Sequence, residues 1–204
     1  FVEDKGTANL YPKWNKGGDK IAYLSNQGHD YFNTTDLFIY DLKVRKKYKI
    51  MEGVVSKPSW NGNLIIYSKR SNVPNKVGSR YFDLYEYDLI KNKERRLTRD
   101  LRAFSPVYNE IDSSIYYLST FDGTQNIYKI KIDENISEKI SDFNNNEIIN
   151  SLSLDIYNNR LLFDITTRHN KNIHFLSLID SSQGRYIDAE LWDTRNVDAF
   201  KEGT

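Results

Sequence analysis

The chain repeats itself, and the repeat limits its fold more than any other feature. Pro12-Lys13-Trp14 is followed by Ile21-Ala22-Tyr23-Leu24-Ser25, and Pro58-Ser59-Trp60 by Leu64-Ile65-Ile66-Tyr67-Ser68. A third copy runs Pro106-Val107-Tyr108, then Ile115-Tyr116-Tyr117-Leu118-Ser119. A fourth, eroded copy runs Leu152-Ser153-Leu154, then Leu161-Leu162-Phe163. The copies begin at 12, 58, 106 and 152, so the period is 46 to 48 residues. Self-similarity on this scale is the mark of a repeat architecture in which each unit buries its apolar face against the next.

A second motif keeps the same beat. Asp36-Leu37-Phe38-Ile39-Tyr40-Asp41-Leu42 returns as Asp83-Leu84-Tyr85-Glu86-Tyr87-Asp88-Leu89. It returns again as Asn126-Ile127-Tyr128-Lys129-Ile130-Lys131-Ile132 and Asn172-Ile173-His174-Phe175-Leu176-Ser177-Leu178. A short polar strand follows each copy: Lys47-Tyr48-Lys49-Ile50, Arg95-Arg96-Leu97-Thr98, Glu138-Lys139-Ile140 and Arg185-Tyr186-Ile187. Every unit therefore holds four short segments of period-two alternation, separated by turns such as Asn61-Gly62-Asn63. No stretch sustains a capped helical period. An all-β chain of four-stranded units, each roughly 40–50 residues long, predicts β-propeller blades of four antiparallel strands.

The motif also resembles a known family. Pro-x-Trp, a polar turn, Ile-Ala-Tyr-x-Ser, Asp-Leu-x-x-Tyr-Asp-Leu and a closing Leu-Thr are similar to the WD-like blade of TolB-type propellers. The resemblance covers residues 12–187 and is sharpest in the first two units. It departs from the family at the Ser-Pro-Asp-Gly turn, which survives only as Asn15-Lys16-Gly17-Gly18-Asp19 and eroded forms. The lone Trp192-Asp193 lies past the fourth unit and reads as coincidence.

The blades divide as 12–57, 58–105, 106–151 and 152–187. Residues 1–11 take the place of the end of a preceding blade, and 188–204 that of a tail or the start of a further one. Because propellers have typically about 4–8 blades, these ends predict an arc of a larger ring, with further blades or domains in the same polypeptide. Residue 1 is Phe and the one methionine is Met51, so a leader, a tag or a longer protein is expected upstream.

Within a blade, the recurring aromatics are predicted core. Trp14, Trp60 and Tyr108 fall where innermost strands pack between blades, and Tyr23, Tyr67, Tyr117 and Phe163 fall on the next strand. Asp41 and Asp88 end a strand, where a carboxylate accepts turn N–H groups. His174 replaces an aromatic and reads as structural.

Function is expected on the loops. Two sets share one face around the central funnel: those joining strands two and three, and those joining one blade to the next. In the first two blades the former are long, spanning 26–35 and 69–82. They carry the candidate binding residues His29, Tyr31, Phe32, Lys69, Arg70, Lys76, Arg80 and Tyr81. A basic, aromatic-flanked loop suits an acidic peptide or a carboxylated glycan.

Other classes are excluded or unsupported. With 29 Lys+Arg against 28 Asp+Glu, the chain is not a uniformly basic nucleic-acid binder. It has no cysteine, hence no disulfide and no thiol nucleophile. No apolar run approaches the roughly 18 residues of a membrane span. There is no nucleophile elbow, phosphate loop or His-Glu-x-x-His motif, so no catalytic residue is nominated. His29 and His169 both lie in funnel-face loops, but two histidines do not make a metal site, and neither a metal nor a cofactor is expected.

The resemblance implies a non-enzymatic module, periplasmic or extracellular, that binds a protein or peptide partner through the funnel and rim. The alternative it implies is the gating propeller of a prolyl-oligopeptidase-like or tricorn-like serine peptidase, with the catalytic domain elsewhere. A propeller polysaccharide lyase is a third reading and would need metal ligands converging in the funnel.

Overall fold

The computed structural model describes residues 5–132, 136–143, 147–168 and 170–178, and the backbone of 190–191. They form four sheets in which sequential strands pair as antiparallel neighbours. Blade 1 holds β1 (Asn9–Trp14), β2 (Lys20–Ser25), β3 (Asp36–Asp41) and β4 (Lys46–Met51). Blade 2 holds β5 (Ser59–Asn61), β6 (Leu64–Arg70), β7 (Phe82–Asp88) and β8 (Lys93–Arg96). Blade 3 holds β9 (Ala103–Asn109), β10 (Ser114–Ser119), β11 (Asn126–Lys131) and β12 (Ser137–Lys139). Blade 4 holds β13 (Ile148–Asp155), β14 (Arg160–Thr166), β15 (Lys171–Ser177) and β16 (Glu190–Leu191). The architecture is the expected all-β arrangement of propeller blades, with no helix among the described residues.

Alternation along the second and third strands builds the interior. One face of β6 presents Ile65 and Tyr67 to blade 1, where they meet Ala22, Leu24, Leu37 and Ile39. The other face presents Ile66 to blade 3, against Ala103, Ile115 and Tyr117. Blades 3 and 4 close in the same way, through Tyr116, Leu118 and Ile127 against Leu152, Leu161 and Phe163. The core is thus three inter-blade layers. Tyr67 and Tyr117 are fully buried, and each such side chain contributes roughly 3 kcal/mol of apolar burial.

One aromatic pair recurs in every blade between the second and third strands. Tyr23 stacks on Phe38, Tyr67 on Tyr85, Tyr117 on Tyr128 and Phe163 on His174, with ring centroids 5.8–6.2 Å apart. The partners are directly opposite in register, where side chains on one face of a sheet interact most closely. His174 therefore takes the aromatic's place, as expected, and burial lowers its pKa. Asp41, Asp88 and Asp155 each accept two turn N–H bonds, from Lys43 and Val44, Ile90 and Lys91, and Tyr157 and Asn158.

One core expectation is corrected. Trp14 is 53% exposed. Its counterpart Trp60 has β1 beside it and donates from Nε1 to the Lys13 carbonyl at 2.9 Å. Trp14 stands on β1 itself, the first inner strand of the described array, and no described strand lies beyond it. Several strands also begin ahead of the repeat boundaries: β1 at Asn9, β9 at Ala103 and β13 at Ile148. Pairing at all three shifts register through a bulge or irregularity, so these inner strands run past the proline or leucine that marks the repeat. Residues 1–4 of the expected preceding blade, the strand expected at 185–187, and Trp192-Asp193 lie outside the described residues. In blade 4 the outer position is taken by Glu190–Leu191, paired with β15.

Candidate functional site

The loops β2–β3 and β6–β7 and the connections β4–β5 and β8–β9 gather at one end of the blades. At this end a polar residue at the start of the third strand anchors its surroundings in blades 1 to 3. Asp83, fully buried, accepts from Thr98 Oγ1 at 2.8 Å and from the N–H groups of Asp100 and Leu101 at 3.1 and 3.2 Å, and pairs with Arg96 at 2.6 Å. Asn126 does the same for blade 3, accepting from Ser141 Oγ and the Phe143 N–H. In blade 1 the buried Asp36 accepts from the Gly53 N–H at 3.0 Å and contacts Lys49 Nζ at 2.8 Å and His29 Nε2 at 2.9 Å. Burial alone would raise the Asp36 carboxyl, but Lys49, Gly53 and His29 outweigh it and hold the pKa below its usual value. Gly53 sits at φ 69°, a left-handed conformation that favours glycine and turns its N–H toward Asp36.

Two long loops rise from this anchored floor. The first is tied at its ends, by Asn26 Oδ1 accepting from the Ala8 N–H at 2.7 Å and Thr35 Oγ1 donating to the Val54 carbonyl at 2.6 Å. Its tip carries Tyr31 and Phe32, each 72% exposed. The second is braced by Asn75, whose side-chain oxygen accepts from the N–H groups of Val77 and Ser79. That places Val73, Lys76, Val77 and Arg80 at the surface.

Between the blade 1 and blade 2 edges lies an open cleft of 730 Å³. Its cations are Lys49, Lys69 and Arg70, and its one acid is Glu52. Glu52 is paired with Lys49 at 2.8 Å. Lys69 is buried, pairs with Glu94 at 2.7 Å and lies over the Tyr85 ring at 4.8 Å. Its charge is engaged inside the protein. Arg70 is exposed and rests on the Phe82 ring at 5.0 Å, with no carboxylate partner among the described residues. Tyr81 accepts from Arg102 at 3.4 Å and carries that guanidinium over its ring at 4.6 Å; this contact lowers the Tyr81 pKa.

The structure thus brings most of the candidate residues to one end but gives them different duties. Arg70, Lys76, Arg80, Tyr31 and Phe32 are presented to solvent. His29 is committed to Asp36, Lys69 to Glu94, and Tyr81 to Arg102. The floor of the cleft, from Lys49 to Gly53, was not among the candidates. Its signal was available, because the blade-to-blade connections share a face with the β2–β3 loops. Among the described residues no hydroxyl bonds to His29. No group of three metal-ligating side chains occurs among them either; His169 lies outside the described residues. No described helix is long and apolar enough to cross a membrane.

No protein-family model matches the chain, and no curated protein matches it in sequence. Solved structures share its fold. TolB from Acinetobacter baumannii superposes with a TM-score of 0.69 at 15% identity, over 90% of this chain and 43% of that one. A putative TolB from Agrobacterium tumefaciens gives 0.69 and 15%, over 87% and 62%. A puromycin-hydrolysing peptidase from Mycobacterium tuberculosis gives 0.59 and 12%, over 85% and 30%. The chain is a TolB-like β-propeller in fold and spans less than two thirds of the length of these structures. At such identities the likeness concerns fold alone, and a shared propeller carries no chemistry with it.

Proposed function

We propose that this chain is a non-enzymatic interaction module that binds an acidic, extended segment of a protein partner across the rim of blades 1 and 2. The observation that carries the reading is Arg70, an exposed cation with no carboxylate partner among the described residues, lining the cleft between the edges of blades 1 and 2. The blades hold both loops by their ends, so binding orders little new backbone. Tyr31 and Phe32 supply apolar anchors, and Arg70, Lys76 and Arg80 supply complementary charge. Lys49 and Lys69 line the cleft as positive walls whose charges are already balanced. A periplasmic or extracellular setting, where TolB-type propellers act, belongs to the same proposal.

The test is fluorescence anisotropy with a labelled peptide of alternating Glu and Leu, against the same peptide with Lys in place of Glu. The acidic peptide is expected to bind, and Arg70→Ala with Arg80→Ala to weaken it about a hundredfold, the loss of two charge-assisted contacts. Equal binding of both peptides, or unchanged affinity in the double variant, removes the rim from the site.

A further inference from the structure

The inner strands carry a second concentration of positive charge, on the axis rather than the rim. Lys57 immediately precedes Pro58 and β5 on blade 2. Its ammonium reaches past blade 3 and donates to the Leu152 carbonyl and, at 3.2 Å, to Ser153 Oγ, both on β13 of blade 4. Lys13 stands on β1 of blade 1. It is opposite Ala22 in register, so its side chain shares the face that packs on blade 2. Lys13 is half-buried, and its ammonium makes no hydrogen bond or ion pair among the described residues. Its backbone carbonyl is the acceptor for Trp60, so the strand there is fixed.

The surroundings do not neutralise this pair. The acid whose charge acts on Lys57 is Asp164 on β14. It is held by Lys171 at 3.2 Å, by Ser151 Oγ at 2.7 Å and by Asn150 Nδ2 at 2.8 Å. Burial pushes the Lys57 ammonium down to about 8; the Lys13 charge adds to the effect and Asp164 opposes it. Burial lowers Lys13 as well. Two partly desolvated like charges that no carboxylate contacts directly among the described residues are unfavourable in the unliganded protein. An anion between them would relieve both the desolvation and the repulsion.

We propose that Lys13 and Lys57, with Ser153 Oγ as a further donor, form an oxyanion-binding site on the propeller axis. The ligand chemistry is a small anionic oxygen cluster: a carboxylate at the end of a peptide entering the channel, or a free inorganic oxyanion. The site uses none of the cleft residues and stands whether or not the rim binds a peptide.

The experiment follows the lysine ¹³Cε resonances of the full chain by NMR while three probes are added separately. They are inorganic phosphate, acetylated trialanine with a free C-terminal carboxylate, and the same peptide as its C-terminal amide. The expected result is that phosphate or the free-acid peptide shifts the Lys57 and Lys13 resonances saturably and raises the Lys57 titration midpoint. A response to phosphate alone assigns the site to a free oxyanion. A response to the free acid but not the amide assigns it to a peptide terminus. Lys13→Met is expected to weaken binding about tenfold or more, the loss of one charge-assisted hydrogen bond, while Lys13→Arg retains it. The proposal is overturned if no probe moves either lysine, if the amide acts as well as the acid, or if Lys13→Met binds as tightly as the parent.

Discussion

The indole Nε1 of Trp60 donates a 2.9 Å hydrogen bond to the backbone carbonyl of Lys13, tying the inner strand of one blade to that of the blade before it. The contact gives the repeated Pro-x-Trp motif a physical role: the ring fills the gap between inner strands and its one donor satisfies a strand carbonyl. Trp60→Phe keeps an aromatic ring and removes the donor. It should lower the unfolding free energy by about 1 kcal/mol, the net worth of one such bond. Trp14→Phe, on the exposed counterpart, should stay within about 0.5 kcal/mol of the parent. Urea unfolding of the two variants side by side is the check. Equal midpoints would mean that the bond contributes nothing beyond ring packing.

Asp83 makes a sharper demand. Its carboxylate closes the corner from β8 to β9 by accepting from Thr98, Asp100 and Leu101 while it balances Arg96. Asp83→Ala leaves a half-buried guanidinium and two N–H groups without their acceptor, and should cost about 3 kcal/mol or more. Asn126 shows that a neutral amide oxygen can accept the equivalent loop bonds, so Asp83→Asn should retain part of this. Thermal unfolding should rank the parent above Asn and Asn above Ala. If Asn falls as far as Ala, the charge on Arg96 carries the corner and the N–H bonds do not.

These residues also show what could be read from the sequence and what could not. Tyr67, Tyr85, Tyr117 and Tyr128 recur at the blade period because every inter-blade layer asks for the same cross-strand pair. A repeated physical demand leaves a repeated residue. Asp41 and Asp88 were legible for a local reason, since a carboxylate two residues before a turn N–H meets it within one hairpin. Trp14 obeys the same pattern, yet its burial depends on a neighbouring strand, which no local motif reports. The cleft was only half legible. Arg70 ends β6 at the foot of a conspicuously long loop, whereas Lys49 to Gly53 end an ordinary outer strand and become a floor only because blade 2 stands beside it. Lys69 looked like part of a basic loop, but Glu94, a strand and a loop away, takes its charge. Lys57 and Leu152 are 95 positions apart, and nothing in either segment announces the other.

Asp36 should govern part of the acid limb. Its carboxyl is raised by burial, but Lys49, Gly53 and His29 overcome this and the net pKa is lowered. The folded state thus holds the carboxylate more favourably than the unfolded chain does. The stabilisation is present above the unfolded value of 3.8 and is lost as the pH falls through the folded one. Asp36→Asn lacks that titration. Its urea midpoint should fall less steeply than the parent's below pH 3.8. Superposable acid limbs would remove Asp36 from the account.

Lys57 should act at the opposite end of the pH scale and with the opposite consequence. Its folded value is about 8 against 10.5 for the free side chain. Between those values the unfolded chain binds a proton that the folded protein does not, so stability rises with pH across that window. Below it, both states are charged and the folded state bears the desolvation cost. Lys57→Met removes the titrating group and keeps an unbranched side chain of similar length. With Lys13 present in both proteins, the parent should gain stability relative to Lys57→Met as pH rises from 8 toward 10.5. Urea midpoints at several pH values across the window decide the matter. Parallel curves would mean that the ammonium is hydrated in the channel, and a reversed slope would mean that an acid beside it, Asp164 foremost, holds its charge in place.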